Sequence, residues 1–397
     1  MDITISPGKL CGTVTAIPSK SQSHRLLICA AFADAPTYLD CEQTNEDIEA
    51  TARCLNALGA DIQRTESGYQ VNPAKAFPKS AVLDCGESGS TLRFLLPVVC
   101  ALGVSATFRL HGRLPYRPLS PLWEELERMG CTLSRPTEDT IQTSGQLRPG
   151  SFSIAGNVSS QFISGLLFAA ALMAGTSNIE ITGILESRPY VDMTVGALRT
   201  FGVETENFNV CGSYPFRSPQ HICVEGDWSN GAFFVVAKAL GSDITINNLR
   251  DDSPQGDKII AALVKNDQVE NLSVADFPDL VPVLAVYFGA KGGATFTNVA
   301  RLRLKESDRV ATVINMLKQL GTSASATENT LTIQPGLYNS GTIDAAGDHR
   351  IAMAAAIAAT VASGPVTILG AECVNKSYPA FWQVYKELGG QYEQYLW

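Results

Sequence analysis

The sequence predicts an α/β protein of two domains, each built from three repeated units of strand, buried helix, strand, surface helix and hairpin. Three observations carry this. A chain of 397 residues is too long for one ordinary core. Five amphipathic stretches end in a bulky apolar residue and a glycine, at Leu58-Gly59, Met129-Gly130, Phe201-Gly202, Leu320-Gly321 and Leu388-Gly389. Six other stretches are apolar on nearly every face behind a polar start, as helices inside a core are.

Glycine just past a helix end is the usual C-terminal stop, and the alternating segments that follow most of these glycines read as strands. The glycines recur about seventy residues apart, with one gap of about double length after Gly202. Within that gap "DKIIAALVKNDQVENLSV" offers a worn copy, which makes six units. The buried helices open at "SKSQSHRLLICAAFA", "GESGSTLRFLLPVVCAL", "SSQFISGLLFAAALMA", "WSNGAFFVVAKAL", "FPDLVPVLAVYFGA" and "GDHRIAMAAAIAATVA". The chain is expected to cross between domains twice, so that residues 1–18 join 229–397 and residues 19–228 form the other domain.

If the buried helices of a domain run roughly parallel, their N-termini gather at one end, where unpaired N–H groups and the helix dipole favour anions. Several starts carry a cation or hydroxyls: Lys20 and Ser21, Ser90, Ser159 and Ser160, His349 and Arg350. Taken singly, Ser and Asp at such places are ordinary caps. Cations at a helix N-terminus oppose the dipole, however, and their recurrence points to an anion held there.

Composition narrows the partners. A net charge of −9 argues against nucleic acid or an anionic membrane, both of which reward excess Lys and Arg. No apolar run is long and charge-free enough to span a bilayer, and "MDITISPGKLCGTV" lacks the pattern of a signal or transit peptide, so a cytoplasmic location is expected. The ten cysteines are scattered singly. His221 and Cys223 are too weak a pair to indicate zinc, and no disulfide framework is indicated. P-loop, dinucleotide, nucleophile-elbow and H-E-x-x-H motifs are all missing.

What remains is an ordered set of short constellations: "PSKSQSHR", "GESGSTLR", "PYRP", "VSSQF", "SRPYVD", "FPD", "RLKESDR", "GDHR" and "NKSYP". Through them the chain resembles the 3-phosphoshikimate 1-carboxyvinyltransferase family of enolpyruvyl transferases over essentially its whole length. "RLKESDR" followed about forty residues on by "GDHR" is the specific part of the match. The resemblance implies two inside-out α/β domains of three repeats each. It also implies transfer of the enolpyruvyl group of phosphoenolpyruvate to the 5-hydroxyl of shikimate 3-phosphate, with release of phosphate, no metal and no organic cofactor. Both substrates are polyanions, which accounts for a local basic site in an acidic protein.

Carried over residue by residue, the resemblance puts Lys20, Ser21 and Arg25 at the shikimate phosphate and the junction of the two substrates. Ser159, Ser160, Gln161 and Ser187, with Tyr190 nearby, are expected to hold shikimate 3-phosphate, helped by Asp279 and Lys305 of the other domain. Lys20, Gly89, Arg117, Gln161, Arg309, Arg350 and Lys376 correspond to phosphoenolpyruvate contacts, where the planar guanidinium fork suits carboxylate and phosphate. Asp279 is the natural partner of the shikimate hydroxyls, Glu306 the preferred group for the C3 proton, and Lys20 an alternative acid. The protein is expected to act as a monomer.

The chain departs from the family at Glu87, where many relatives have Asn, at Ser90 in place of Thr, and at Arg301, where some relatives have Asn. The Glu87 side chain is expected to turn away from the anion site or pair with a cation. Two rival readings remain at this point: the related transferase acting on UDP-N-acetylglucosamine, and a non-catalytic sugar-phosphate binding protein. The first carries a loop cysteine where this chain has Arg117, and lacks the His-Arg pair found here in "GDHR". The second has no use for Asp279 and Glu306.

Overall fold

Alternating apolar strands and glycine-stopped helices produce six small sheets, five of four strands and one of two. The computed structural model describes residues 1–212 and 214–395. The chain divides into two units, Pro18–Val224, and Met1–Ile17 with Glu225–Trp397. Each has its own apolar core and three of the sheets.

One unit of the repeat illustrates the rest. Strand Ser80–Asp84 lies parallel to Ser105–Arg109, and the helix Gly89–Leu102 makes the crossover that parallel pairing demands. Surface helix Leu122–Arg128 follows, then the hairpin strands Cys131–Thr137 and Thr140–Gly145, the second of which pairs antiparallel with Ser105–Arg109. All five stop glycines have positive φ, from 78° at Gly202 to 104° at Gly59, the backbone state that glycine reaches without steric penalty.

The crossover helices are buried on every side. In Pro18–Val224 they are Lys20–Ala31, Gly89–Leu102 and Ser160–Leu172; in the other unit, Trp228–Ala239, Val281–Ala290 and His349–Ala359. Their side chains fill the two cores, and the strands turn one face outward, as Ser151–Ala155 does by alternation. The chain termini obey the same pattern. Strand Asp2–Ile5 is antiparallel to both Val366–Leu369 and Tyr392–Tyr395, and Cys11–Thr15 pairs in parallel with Asp243–Asn247, which draws the first 17 residues into the unit of the C-terminal half.

Two features differ from the sequence reading. Among the described residues the fourth repeat, that of helix Trp228–Ala239, has no hairpin. After Asp243–Asn247 the chain forms a loop, a short 3-10 turn Gly256–Ile259 and the one-turn helix Ile260–Leu263, and Val269–Ser273 then opens the next repeat by pairing with Ala294–Thr297. The loop is instead tied down by Ser253 and Gln255, both donating to Glu225. The unit boundaries also fall one and four residues before the expected 18/19 and 228/229. Asp227 caps Trp228–Ala239 by accepting from Asn230 N at 2.8 Å, and its own N–H donates to Ile17 O, so residues 225–228 go with that helix. Residues 213, 396 and 397 of the expected domains lie outside the described residues.

Two buried helices approach closely at Gly165. Pro97, inside Gly89–Leu102, has no N–H to give to Arg93 O four residues earlier. Gly165 packs against that carbonyl, so that a Cβ there would run into Arg93 O and come within 3.1 Å of Pro97 Cγ. A methyl at this place forces the helices apart. Gly165→Ala is therefore expected to destabilise the protein by roughly 1–3 kcal/mol, read as a lower midpoint in urea unfolding with an unchanged slope.

Candidate active site

In the unit Pro18–Val224 the three buried helices begin together, and each cap is a serine. Ser19 accepts from Gln22 N, Ser88 from Thr91 N and Ser159 from Gln161 N. None of these helices has an acid in its first turn. The caps satisfy one N–H each and add no charge, which leaves the positive ends of three dipoles uncompensated.

Cationic side chains tie the starts to one another. Arg25 donates from Nε to Thr194 Oγ1 at 2.8 Å, from Nη1 to Ser21 O at 2.5 Å and from Nη2 to Tyr190 O at 2.8 Å, and its guanidinium sits 5.0 Å from the Phe94 ring centre. Burial lowers its pKa to about 10, still well above neutrality. Arg93 donates to Gln161 Oε1 at 3.0 Å and to Pro118 O at 3.2 Å, over the Phe162 ring, and Gln161 Nε2 donates to Ser90 Oγ at 2.9 Å. Lys20 pairs with Asp47 at 2.9 Å.

Gly89 completes this half. A Cβ on it would lie 2.6 Å from Arg93 Nη1 and 2.7 Å from Arg117 Nη1. The missing side chain is what lets two guanidinium groups converge on the first turn of a helix. Ser187 stands in the left-handed region with φ 55° and opens Arg188–Thr200, the helix whose Tyr190 and Thr194 hold Arg25. The Glu87 carboxylate packs against Gly112, in the loop that leads to Arg117.

The other unit gathers its helix starts differently. Two caps are aspartates, Asp227 and Asp348, and the middle helix enters through the 3-10 turn Pro278–Leu280 that carries Asp279. Arg309 is 1% exposed and held by three carboxylates. It donates from Nε to Asp348 at 2.8 Å, from Nη1 to Asp279 at 2.6 Å and from Nη2 to Glu306 at 2.7 Å. Arg350 donates to the second Asp279 oxygen at 3.1 Å and to Ser229 O at 3.4 Å, which links the starts of all three buried helices. Lys305 Nζ lies 3.6 Å from Asp279. Lys376 is buried next to Ser377, whose hydroxyl donates to Asn230.

Charge sets the protonation states here. Burial by itself would raise the Asp279 carboxyl, but Arg350, Lys305 and Arg309 together hold it well below the usual carboxylate range. Burial pushes Lys305 down to about 8, against the pull of Asp279. Arg309 is buried too, yet Asp348, Glu306 and Asp279 raise it above its ordinary value. Buried His24 is driven down to about 3 and is neutral.

The expected residues thus fall into two clusters, one per unit: Lys20, Ser21, Arg25, Gly89, Arg117, Ser159, Ser160, Gln161 and Ser187, and separately Asp279, Lys305, Glu306, Arg309, Arg350 and Lys376. Neither cluster is a bare array of cations, because Lys20 and Arg309 already have carboxylate partners. Arg301 donates to Ala275 O at 2.8 Å, a backbone anchor. Sequence reasoning missed Asp47, on a surface helix without a motif, and Thr194, two residues beyond "SRPYVD". It left Arg93 out of the binding set, although its place one turn after Gly89 is a usable signal.

A profile of the family described as EPSP synthase (3-phosphoshikimate 1-carboxyvinyltransferase) matches residues 5–385. Proteins named 3-phosphoshikimate 1-carboxyvinyltransferase from Clostridium kluyveri and Clostridium novyi are 38% and 37% identical, over 99% and 98% of this chain and 98% of each relative. A solved EPSP synthase from Acinetobacter baumannii superposes with a TM-score of 0.79 at 25% identity, covering 99% of this chain and 100% of that one. The enolpyruvyl transferase NikO from Streptomyces tendae, at 18% identity and a TM-score of 0.76, shares the fold. By its sequence over nearly its full length, and by its fold, the chain belongs to the EPSP synthase family.

Proposed function

We propose that the two clusters serve one reaction, the transfer of the enolpyruvyl group of phosphoenolpyruvate to the 5-hydroxyl of shikimate 3-phosphate, giving 5-enolpyruvylshikimate 3-phosphate and phosphate. The observation that carries this reading is the group Asp279, Lys305, Glu306, Arg309 and Arg350, which sets two carboxylates able to move protons among cations able to hold anions. Addition and elimination through a tetrahedral ketal need only proton transfers and a phosphate leaving group, so no metal or organic cofactor enters the chemistry. A binding protein would not need a proton carrier such as Glu306, and the relatives from Clostridium are named 3-phosphoshikimate 1-carboxyvinyltransferase.

In this reading Ser159, Ser160, Gln161, Ser187, Ser21, Arg25 and Lys20 hold shikimate 3-phosphate, with its phosphate at the neutral-capped helix starts. Asp279 faces its hydroxyls and accepts the proton of the 5-hydroxyl as the oxygen attacks C2, and Lys305 assists. Gly89, Arg117, Gln161, Lys20, Arg309, Arg350 and Lys376 hold phosphoenolpyruvate. Glu306 gives a proton to C3 and takes one back as phosphate departs, while Lys20 protonates the leaving group. An anion that draws Arg309 and Arg350 toward itself weakens their hold on Asp279, so its pKa rises and it becomes a better base when substrate is present. The protein acts as a cytoplasmic monomer on these small molecules and not on nucleic acid; the net charge of −9 supports the last point. Among the described residues no helix is long and apolar enough to cross a membrane.

Phosphate release from phosphoenolpyruvate that depends on shikimate 3-phosphate is the direct test, and release without the second substrate would refute the reading. Glu306→Gln keeps an oxygen for Arg309 but removes the proton carrier. Its turnover is expected to fall by about two orders of magnitude or more while both KM values stay within a few-fold. Lys305, with a pKa of about 8, is charged below that value and neutral above it. The KM for shikimate 3-phosphate is therefore expected to climb as pH rises through this range, and Lys305→Arg, protonated throughout, to flatten that climb in a pH series. In Gly89→Ala the new methyl displaces Arg93 or Arg117, whose ends are flexible, so the KM for phosphoenolpyruvate is expected to rise by roughly fivefold, equivalent to about 1 kcal/mol.

A further inference from the structure

We propose that Asp40, His221 and Cys223 form a surface site for one divalent cation of the zinc or cobalt class, separate from the groups used in the transfer reaction. His221 and Cys223 stand two residues apart on strand His221–Cys223, so their side chains leave the same face of the sheet. That strand runs parallel to Thr37–Asp40 with Cys223 opposite Asp40, which brings the third donor to that face. His221 Nε2 lies 3.0 Å from one Asp40 oxygen and Cys223 Sγ lies 3.0 Å from the other. The three donor atoms are all within 4.8 Å of one another.

This spacing suits a metal. Bonds of about 2.0 Å to imidazole and carboxylate and about 2.3 Å to thiolate, at tetrahedral angles, separate the donor atoms by roughly 3.2–3.8 Å. Small side-chain rotations reach that geometry from backbones already fixed by strand pairing. With side chains 60% exposed at His221 and 39% at Asp40, solvent has room to supply a fourth ligand. One thiolate, one imidazole and one carboxylate favour zinc or cobalt over magnesium or calcium, which take oxygen ligands. Without a cation the same three side chains satisfy each other by hydrogen bonding to Asp40, which keeps the proton on Cys223. On binding, the Cys223 S–H bond breaks, its proton passes to the buffer, sulfur bonds the metal, and His221 offers the Nε2 lone pair with its proton on Nδ1.

Titration of the reduced protein with Co²⁺ tests the site through the near-ultraviolet charge-transfer band of a thiolate-bound cobalt ion. A band saturating at one ion per chain and displaced by Zn²⁺ is expected. Cys223→Ser should abolish it, and Cys211→Ser, which removes another exposed thiol, should leave it intact. His221→Asn and Asp40→Asn should each weaken Co²⁺ binding by at least about tenfold, since losing even an outer partner of a ligand costs that much. Transferase activity should be unaffected in all four variants, and thermal melts by circular dichroism show whether each remains folded. No band, a band surviving Cys223→Ser, or unchanged affinity in folded His221→Asn would each overturn the proposal. If Asp40→Asn does not fold, the cysteine and histidine variants still decide the matter.

Discussion

The interaction on which the C-terminal cluster depends is the burial of Arg309 among Asp348, Asp279 and Glu306. An unpaired guanidinium taken out of water costs several kcal/mol, so its place is tolerable only where acceptors surround it. Asp348 supplies two of those contacts and is itself fully buried as the cap of His349–Ala359, where it also accepts from Ser307. The position of Arg309 is thereby locked to the N-terminus of a core helix. Asp279 and Glu306, less deeply buried, are held at the other edges of the same guanidinium. The polar start of "GDHRIAMAAAIAATVA" is thus explained: Asp348 and Arg350 are the two ends of a charge network that a fully apolar helix brings into the core.

The two units answer the same problem in opposite ways. A helix whose sides are all buried must leave its unpaired N–H groups at one end of a core, and these need acceptors. Pro18–Val224 uses serine caps and keeps its helix starts electropositive. The other unit uses aspartates and adds arginines to match them. In the proposed reading the first arrangement holds a phosphate through dipoles and N–H groups. The second is nearly self-neutral and keeps the Asp279 carboxyl ionised among its cations. In the proposed reading both arrangements hold anions, one through neutral-capped helix starts and the other through a network of cations and carboxylates, and a net negative protein accommodates both because the positive potential is local.

Much of this was legible in the sequence because it is local. Glycine stops, serine and aspartate caps, and the apolar runs behind them are set within a turn or two of chain, and they located the buried helices. "RLKESDR" and "GDHR" named Arg309, Glu306 and Arg350. What stayed hidden depends on residues distant in sequence. Asp47 finds Lys20 from the first turn of a surface helix, where three acids together read only as favourable to that helix dipole. Thr194 reaches Arg25 across 169 positions from just outside "SRPYVD". The missing hairpin of the fourth repeat was invisible for another reason: "VENLS" has strand character in either role, and only pairing with Ala294–Thr297 shows that it begins a repeat and does not finish one.

The same distinction applies to the charge of Glu87. Read along the chain, it stands two residues before Gly89 and should repel phosphoenolpyruvate. In the fold its exposed carboxylate packs against Gly112, which, with φ 54°, has no Cβ to exclude it. The acid is thus directed at the backbone of the segment that continues to Arg117, while Arg93 and Arg117 close on Gly89. Charge sign at a sequence position says little until the direction of the side chain is known. Two glycines, one admitting guanidinium groups and the other admitting a carboxylate, set those directions here.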